Sequence, residues 1–320
     1  MAVQGSTLYG GSVSADAIYQ ITQGTGFKWN EHMRTEILMD GKPRQLTRAI
    51  HAGNPFQDDI RNPEMSDFVG NPTVTVDGRL LTVSPMAIRD VMNPTQWKET
   101  FPKYQPSGPS NNLSMSPEVQ KTILDLTLDA AKNQLNDLHA RGDDTLTSPD
   151  PLRFYDGIIK LILADADCTQ VGVAGAITLA NVLDTVYDMR DAVEPRLRMH
   201  PDLKTFCSIA DYDLYDRARR ATQTQMATTD LGVNDKVIQA NGAKITLIPN
   251  ESIPVGFMFT TIASTKDTSN LVQGVWVKND AEALMITKMK DTDLDIVMQL
   301  RMSMGVNYKS GKDIYFRTAS

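Results

Sequence analysis

The chain is poor in the residues from which most catalytic and metal centres are built. Among 320 residues there are only two cysteines, Cys168 and Cys207. Two thiols supply neither a four-thiolate zinc site nor a disulfide framework, and they suit a reducing compartment. The four histidines are His32, His51, His139 and His200. Their spacing gives no helical metal-binding pair. Positive charge is also short. Lys and Arg number 32 against 39 Asp and Glu, a net charge of −7, which argues against a broad basic face for nucleic acid. The three tryptophans, Trp29, Trp97 and Trp276, do not alternate with basic residues, so there is no stacking platform for single strands.

Long hydrophobic runs are missing too. The longest charge-free stretch, 168–183, has 16 residues and includes Thr169, Gln170, Thr178 and Asn181. A membrane-spanning helix needs about 20 mostly apolar residues. No apolar segment precedes the first basic residue, Lys28, so no secretory signal is expected. Phosphate loops and nucleophile elbows are absent. Gly24-Thr25-Gly26 starts a dinucleotide-like pattern, but Trp29 stands at the third glycine.

What is present is ordinary in bulk and unusual in arrangement. Hydrophobic residues make up 41% and charged residues 22%, so the chain can bury a core without metal or disulfide staples. The first 27 residues are polar and glycine-rich and read as an arm or a disordered tail. Residues 41–72 are dense in Gly, Pro and Asn and lead into 73–76, Asp77-Gly78 and 79–83, which predicts an Asp-Gly hairpin. The whole reads as a long two-stranded excursion. A lone hairpin is marginal in water, so it needs a neighbour to lie on.

The clearest helix begins with Ser116 as N-cap, Pro117 at N1 and Glu118 in the first turn. Val119, Ile123, Leu126, Ala130, Leu135 and Leu138 suggest its apolar stripe, and Gly142 its stop. Further along, 154–163 predicts part helix and part strand. Thr178 is expected to cap a helix carrying Leu179, Val182, Leu183, Val186 and Met189, with Pro195 beyond its end. A buried strand over 203–209 and a helix capped by Asp211 follow. Asn241-Gly242 joins 237–240 to 243–248 in a type I′ hairpin. Strands are expected over 257–263, 271–277 and 294–301, a turn at Asn279-Asp280, and Gly305 and Gly311 as breaks between short strands. The alternation of helix and strand predicts an α+β fold.

The candidate chemistry is thin. Asp291, Asp293 and Asp295 alternate like cation ligands, but a calcium loop needs Gly at the sixth position, where Ile296 stands. An enzyme using these aspartates is an alternative reading. Asp165 and Asp167 read as loop or strand-edge charges. Arg217, Arg219 and Arg220 lie beside Asp211, Asp213 and Asp216 and are explained by helical ion pairs.

The order of arm, excursion, very long helix, mixed domain and return strands resembles the major capsid proteins of tailed bacteriophages, the Hong-Kong-97-type fold. The resemblance rests on the helix at 116–141, the run Lys204-Thr205-Phe206-Cys207-Ser208-Ile209 between two helices, and the stretch from Gly242 to Pro249. Asn270 to Gly274, 294–305 and 314–317 are similar to further family strands. It implies an N-terminal arm over 1–40, an extended loop with flanking strands over 41–98, and a peripheral domain over 99–169 containing the spine helix. It also implies an axial domain over 170–285 and return strands over 286–320. The implied function is a structural, non-enzymatic shell subunit of the virion, with no cofactor and no metal. Its partners would be itself in hexamers and pentamers, together with portal, scaffolding and decoration proteins. Packaged double-stranded DNA would be touched weakly, and no membrane. The implied inter-subunit contacts are Phe56, Phe68, Asp77, Gly78 and Arg79 on the extended loop and Met226 and Leu231 on the axial loop at 222–235. An encapsulin-type cargo shell shares this pattern. No lysine, asparagine and glutamate can be assigned to the cross-linking chemistry of some members.

Overall fold

The computed structural model describes residues 29, 31–38, 44–47, 51–52, 74–75, 78–92, 117–172, 175–223, 237–240, 243–276, 284–288 and 296–319. The first half holds β1 (Arg34–Ile37), β2 (Arg44–Thr47), β3 (His51–Ala52), β4 (Val74–Thr75), β5 (Gly78–Leu81) and β6 (Ser84–Met92). Then come α1 (Pro117–Arg141), α2 (Ile158–Ala164), β7 (Thr169–Gln170), α3 (Val182–Ala192), α4 (Pro195–Arg198), β8 (Leu203–Cys207) and α5 (Ile209–Gln223). The remainder is β9 (Val237–Ala240), β10 (Ala243–Pro249), β11 (Met258–Ile262), β12 (Leu271–Trp276), β13 (Leu284–Lys288), β14 (Ile296–Tyr308), a 3₁₀ turn (Gly311–Asp313) and β15 (Tyr315–Arg317).

Two sheets organise these elements. In the five-stranded sheet the long β14 is central. β6 pairs along one edge of it, β12 and then β13 pair along the other, and β1 adds parallel to β12. The six-stranded sheet runs β7-β15-β11-β8-β10-β9, with α3 and α5 against it. Val182, Val186, Met189, Leu203, Cys207, Tyr215, Ala218 and Leu247 form the core between those helices and their sheet. A larger core joins α1 and α2 to the five-stranded sheet and reaches Phe206 and Phe259 of the other sheet. Trp29 links the two. Its ring stacks on Phe206 at 5.4 Å, Phe206 stacks on Phe259 at 4.9 Å, and the indole N–H donates to the Asn136 carbonyl of α1. Thus 29–38, the end of the segment expected to be an arm, is anchored in the body.

The long helix has the predicted bounds and its 25 residues span about 37 Å. Its buried face differs from the expected stripe. Leu128, Ala131, Leu135 and Leu138 are buried, whereas Leu126 is 60% exposed and Ala130 is exposed. Leu126 and Leu128 are roughly 200° apart on a helix, so only one can face the sheet. Leu128 continues the spacing of Leu135 and Leu138. Gly142 ends the helix through close approach: a Cβ there would lie 2.2 Å from the Tyr155 carbonyl oxygen. Gly157 packs reciprocally and donates its N–H to Gly142.

Other expectations are corrected. Residues 151–155 are turn and bend, and the apolar run that follows is all helix, α2. α3 starts at Val182 with Asn181 as N-cap, and Asn181 Oδ1 accepts the Thr178 N–H, which leaves Leu179 exposed. Pro195 opens α4. Ser208, not Asp211, caps α5: its Oγ accepts the Asp211 N–H at 3.0 Å and donates to the Asp211 carboxylate at 2.7 Å. That carboxylate also accepts the Gly256 N–H at 2.8 Å. Gly305 lies inside β14 rather than between strands. The 237–240 and 243–248 strands pair as predicted, Ala240 opposite Ala243. The Asn279-Asp280 turn lies outside the described residues.

Candidate functional site

The Asp77-Gly78 hairpin does not form, because its two strands pair elsewhere. β5 is antiparallel to β2, with Arg44 opposite Leu81 and Thr47 opposite Gly78. β4 is antiparallel to β3, with His51 opposite Thr75. The outgoing and returning limbs therefore make one ribbon, with a one-residue shift between the two ladders. A longer, nested pairing satisfies more backbone groups than a tight turn at Asp77-Gly78 could. Among the described residues, neither ladder joins either of the two sheets.

The ribbon meets the body at 79–83, and each of these residues has its own seat. Leu81 is fully buried beside Leu38 and Val272. Gly274 makes room for it, since a Cβ there would come within 3.1 Å of Leu81 and 2.9 Å of Val83. The Thr82 carbonyl oxygen lies 1.9 Å from where a Gly305 Cβ would be, so the mid-strand glycine is where the chain crosses β14. Asn307 Nδ2 donates to the Leu80 carbonyl at 2.9 Å. Arg79 forms an ion pair with Asp165, and its guanidinium carbon sits 4.4 Å above the Tyr308 ring.

Asp165 is the hub of this cluster. The Tyr308 hydroxyl donates to its Oδ2 at 2.8 Å, and Cys168 Sγ lies 3.5 Å from the same oxygen. Burial pushes the Asp165 carboxyl up. The Tyr308 hydroxyl, the Asp167 backbone amide and the Arg79 charge outweigh it, so the pKa falls below the ordinary value. Burial raises the Tyr308 phenol, and the bond to Asp165 adds to it. Burial likewise pushes the Cys168 thiol up to about 12, which leaves it inert as a nucleophile.

A second acidic cluster went unrecognised in the sequence. Among the described residues, Asp143, Asp144 and Asp156 are the carboxylates close enough together to hold a metal ion. An ammonium occupies their centre instead: Lys160 Nζ donates to them at 2.7, 2.9 and 2.5 Å respectively. Lys160, then the Thr145 side chain and amide, hold Asp143 down to about 2. The three aspartates raise Lys160. The ammonium fills the place a metal ion would take and offsets one of the three negative charges.

A groove of about 260 Å³ lies between α1 and β6, lined by Met86, Ile88, Ala131, Leu135, Phe154 and Met302 among others. In the last turn of α1, His139 is fully buried, with Nδ1 2.9 Å from the Leu135 carbonyl oxygen and 2.8 Å from the Tyr155 hydroxyl. Burial lowers its pKa to about 4, against smaller raising effects from Leu135 and Gln273.

Of the residues expected to make contacts between copies, Arg79 is engaged within its own chain at the ribbon root. Gly78 lies in β5 opposite Thr47. Phe56, Phe68, Asp77, Met226 and Leu231 lie outside the described residues, as do Asp291, Asp293 and Asp295. Asp165, Gly305, Asn307 and Tyr308 complete the root. Only Gly305, a glycine inside an alternating strand pattern, carries a sequence signal of close approach.

No protein-family model and no curated protein matches the chain. Solved structures do. The virus-like particle from Pyrococcus furiosus aligns over 97% of this chain and 99% of its own, with 8% identity and a TM-score of 0.52. The satellite phage P4 procapsid aligns over 95% and 98%, with 9% identity and a TM-score of 0.54. Mycobacterium phage Bobi aligns over 90% and 88%, with 14% identity and a TM-score of 0.51. The chain is α+β and has the Hong-Kong-97-type fold of capsid proteins.

Proposed function

We propose that the chain is a shell subunit, the major capsid protein of a tailed phage, which assembles with copies of itself into a closed icosahedral head around the genome. The observation that carries this reading is the ribbon, whose strands pair with each other and leave the body. A two-stranded ribbon buries too little to be stable by itself, and a neighbouring copy supplies the missing surface. Each such contact buries apolar area worth roughly 25 cal/mol per Å², and a closed lattice makes several modest contacts act together.

In this reading hexamers and pentamers gather around the 222–235 loop, and the ribbon crosses to the adjacent subunit. The residues of the extended loop and axial loop named from the sequence make those contacts. Portal, scaffolding and decoration proteins are the further partners. The net charge of −7 keeps the shell from gripping DNA strongly while it is spooled inside. No catalytic step is assigned.

Electron microscopy of the expressed chain tests the reading. Icosahedral shells support it, and subunits that never assemble at any concentration overturn it. A shell enclosing protein cargo would have the same subunit fold and is the second reading. Nuclease-protected DNA in particles from the native source supports the phage head, and a packaged protein without DNA supports the cargo shell.

A further inference from the structure

The ribbon root combines two kinds of attachment. Leu81 in its apolar seat and the Thr82 carbonyl over Gly305 hold the chain in place but leave the direction of β5 to the residues beyond them. Direction is set by Arg79 and Leu80, which are fastened to Asp165, Tyr308 and Asn307. Asp165 lies at the end of α2, while Tyr308 and Asn307 end β14. The ribbon is therefore tied to two separate body elements, which fixes an angle where one tie would fix only a distance.

We propose that Arg79, Asp165, Tyr308 and Asn307 form a latch that aims the ribbon before a second copy is met. The proposal rests on the shell-subunit reading, and it adds that the subunit brings a pre-oriented limb to assembly. The leverage is large. Seven extended residues, the separation of Leu81 and Val74, reach about 23 Å at about 3.3 Å per residue. A swing of about 10° at the root moves Val74 by about 4 Å, close to one strand spacing of about 4.8 Å. A limb free to swing that far would meet its neighbour out of register. Ordering it in advance removes that cost from each contact.

The latch also explains the choice of arginine. Its flat fork pairs with a carboxylate while its face lies on the Tyr308 ring, and lysine cannot do both. The Tyr308 hydroxyl donates to the same Asp165 oxygen, Oδ2, that Arg79 pairs with, so the carboxylate is already oriented for Arg79. Cys168 and Leu161 close the remaining space around that oxygen and the phenol.

The experiment compares the full chain with Arg79→Ala, Arg79→Lys and Tyr308→Phe. Hydrogen exchange at Leu80 and Leu81 in dissociated subunits reads the latch, and shell yield and diameter in micrographs read assembly. Arg79→Ala is expected to exchange about tenfold faster at these amides and to give a mixture of diameters or open sheets, with the melting of the rest of the subunit unchanged. Arg79→Lys should fall between Ala and the parent, which keeps the test valid if Arg79→Ala folds poorly. Unchanged exchange in both Arg79 variants overturns the latch. Faster exchange with shells of parental yield and diameter overturns its role in assembly. If the parent chain forms no shells, the shell reading fails, and exchange alone still decides whether the latch exists.

Discussion

The two sheets bury themselves to different degrees. In the six-stranded sheet, all five residues of β11 are buried, β8 is nearly so, and α3 and α5 cover the core. In the five-stranded sheet, β6 alternates half-buried Met86 and Ile88 with exposed Pro85, Ala87 and Arg89. Its outer edge pairs with no described strand, and the ribbon leaves at its N-terminal end. The first sheet carries its two covering helices on the same chain. The second gives off the ribbon, whose two ladders join neither sheet among the described residues.

That contrast can be broken or sharpened by substitution. The largest effect is expected from Phe259→Ala, which removes a fully buried ring stacked on Phe206 and tilted against Phe257. It should cost about 3–5 kcal/mol and unfold the subunit at a lower denaturant midpoint, whatever the state of assembly. Survival of normal stability would show that the aromatic stack of the six-stranded sheet contributes little to folding.

Acid should loosen the other half. His139 ionises with a pKa of about 4 in the fold and about 6.5 when unfolded. Its neutral form therefore stabilises the fold at pH 7. That stability is lost as pH falls from about 6.5 to 4, because only the unfolded chain then takes up the proton. The change is on the order of 3 kcal/mol. Denaturation at pH 7 and pH 4.5 measures it, and a His139→Gln chain should show a shallower slope. An equal slope in both chains would place the pH sensitivity elsewhere.

Gly305→Ala comes next. A Cβ there meets the Thr82 carbonyl oxygen, and overpacking of this kind costs about 1–3 kcal/mol. The expected result is faster exchange along 80–84 and failed shells, with α5 and β8 protected as before. Loss of protection in both halves would mean that the two sheets unfold as one unit.

The smallest effect belongs to Asp143→Asn. The group is exposed and its bond to Lys160 is screened by salt. Its depressed pKa means that its contribution is present above the usual carboxylate range and fades as pH falls toward about 2. A slight drop in melting temperature at low salt, vanishing at 1 M, is the expected outcome. A drop that persists at 1 M would assign the Lys160 cluster a larger structural share.

Local signals in the sequence located elements well and their partners poorly. Asn241-Gly242 predicts the pairing of 237–240 with 243–248 because both strands and the turn lie within a dozen residues. Pro117 and Gly142 bracket the long helix for the same reason. Asp77-Gly78 misleads because a nested pairing with 44–52 competes with the local turn and wins. The helix stripe slips because Leu126 and Leu128 both fit a helical period until a sheet selects one. At the root, Arg79 and Asp165 are 86 residues apart, and no spacing rule connects them. Asp165, read as a loop or strand-edge charge, acquires its place only when α2 and β14 are packed together.

β14 carries a consequence for synthesis. It is the common partner of β6, β12 and β13, and its end supplies Asn307 and Tyr308 to the ribbon root. All of those partners precede it in the chain. A nascent or truncated polypeptide ending before 296 holds the β1–β12 pair, β6 and β13 but lacks the strand that joins them. The order of translation thus keeps this sheet open until its last strand is made.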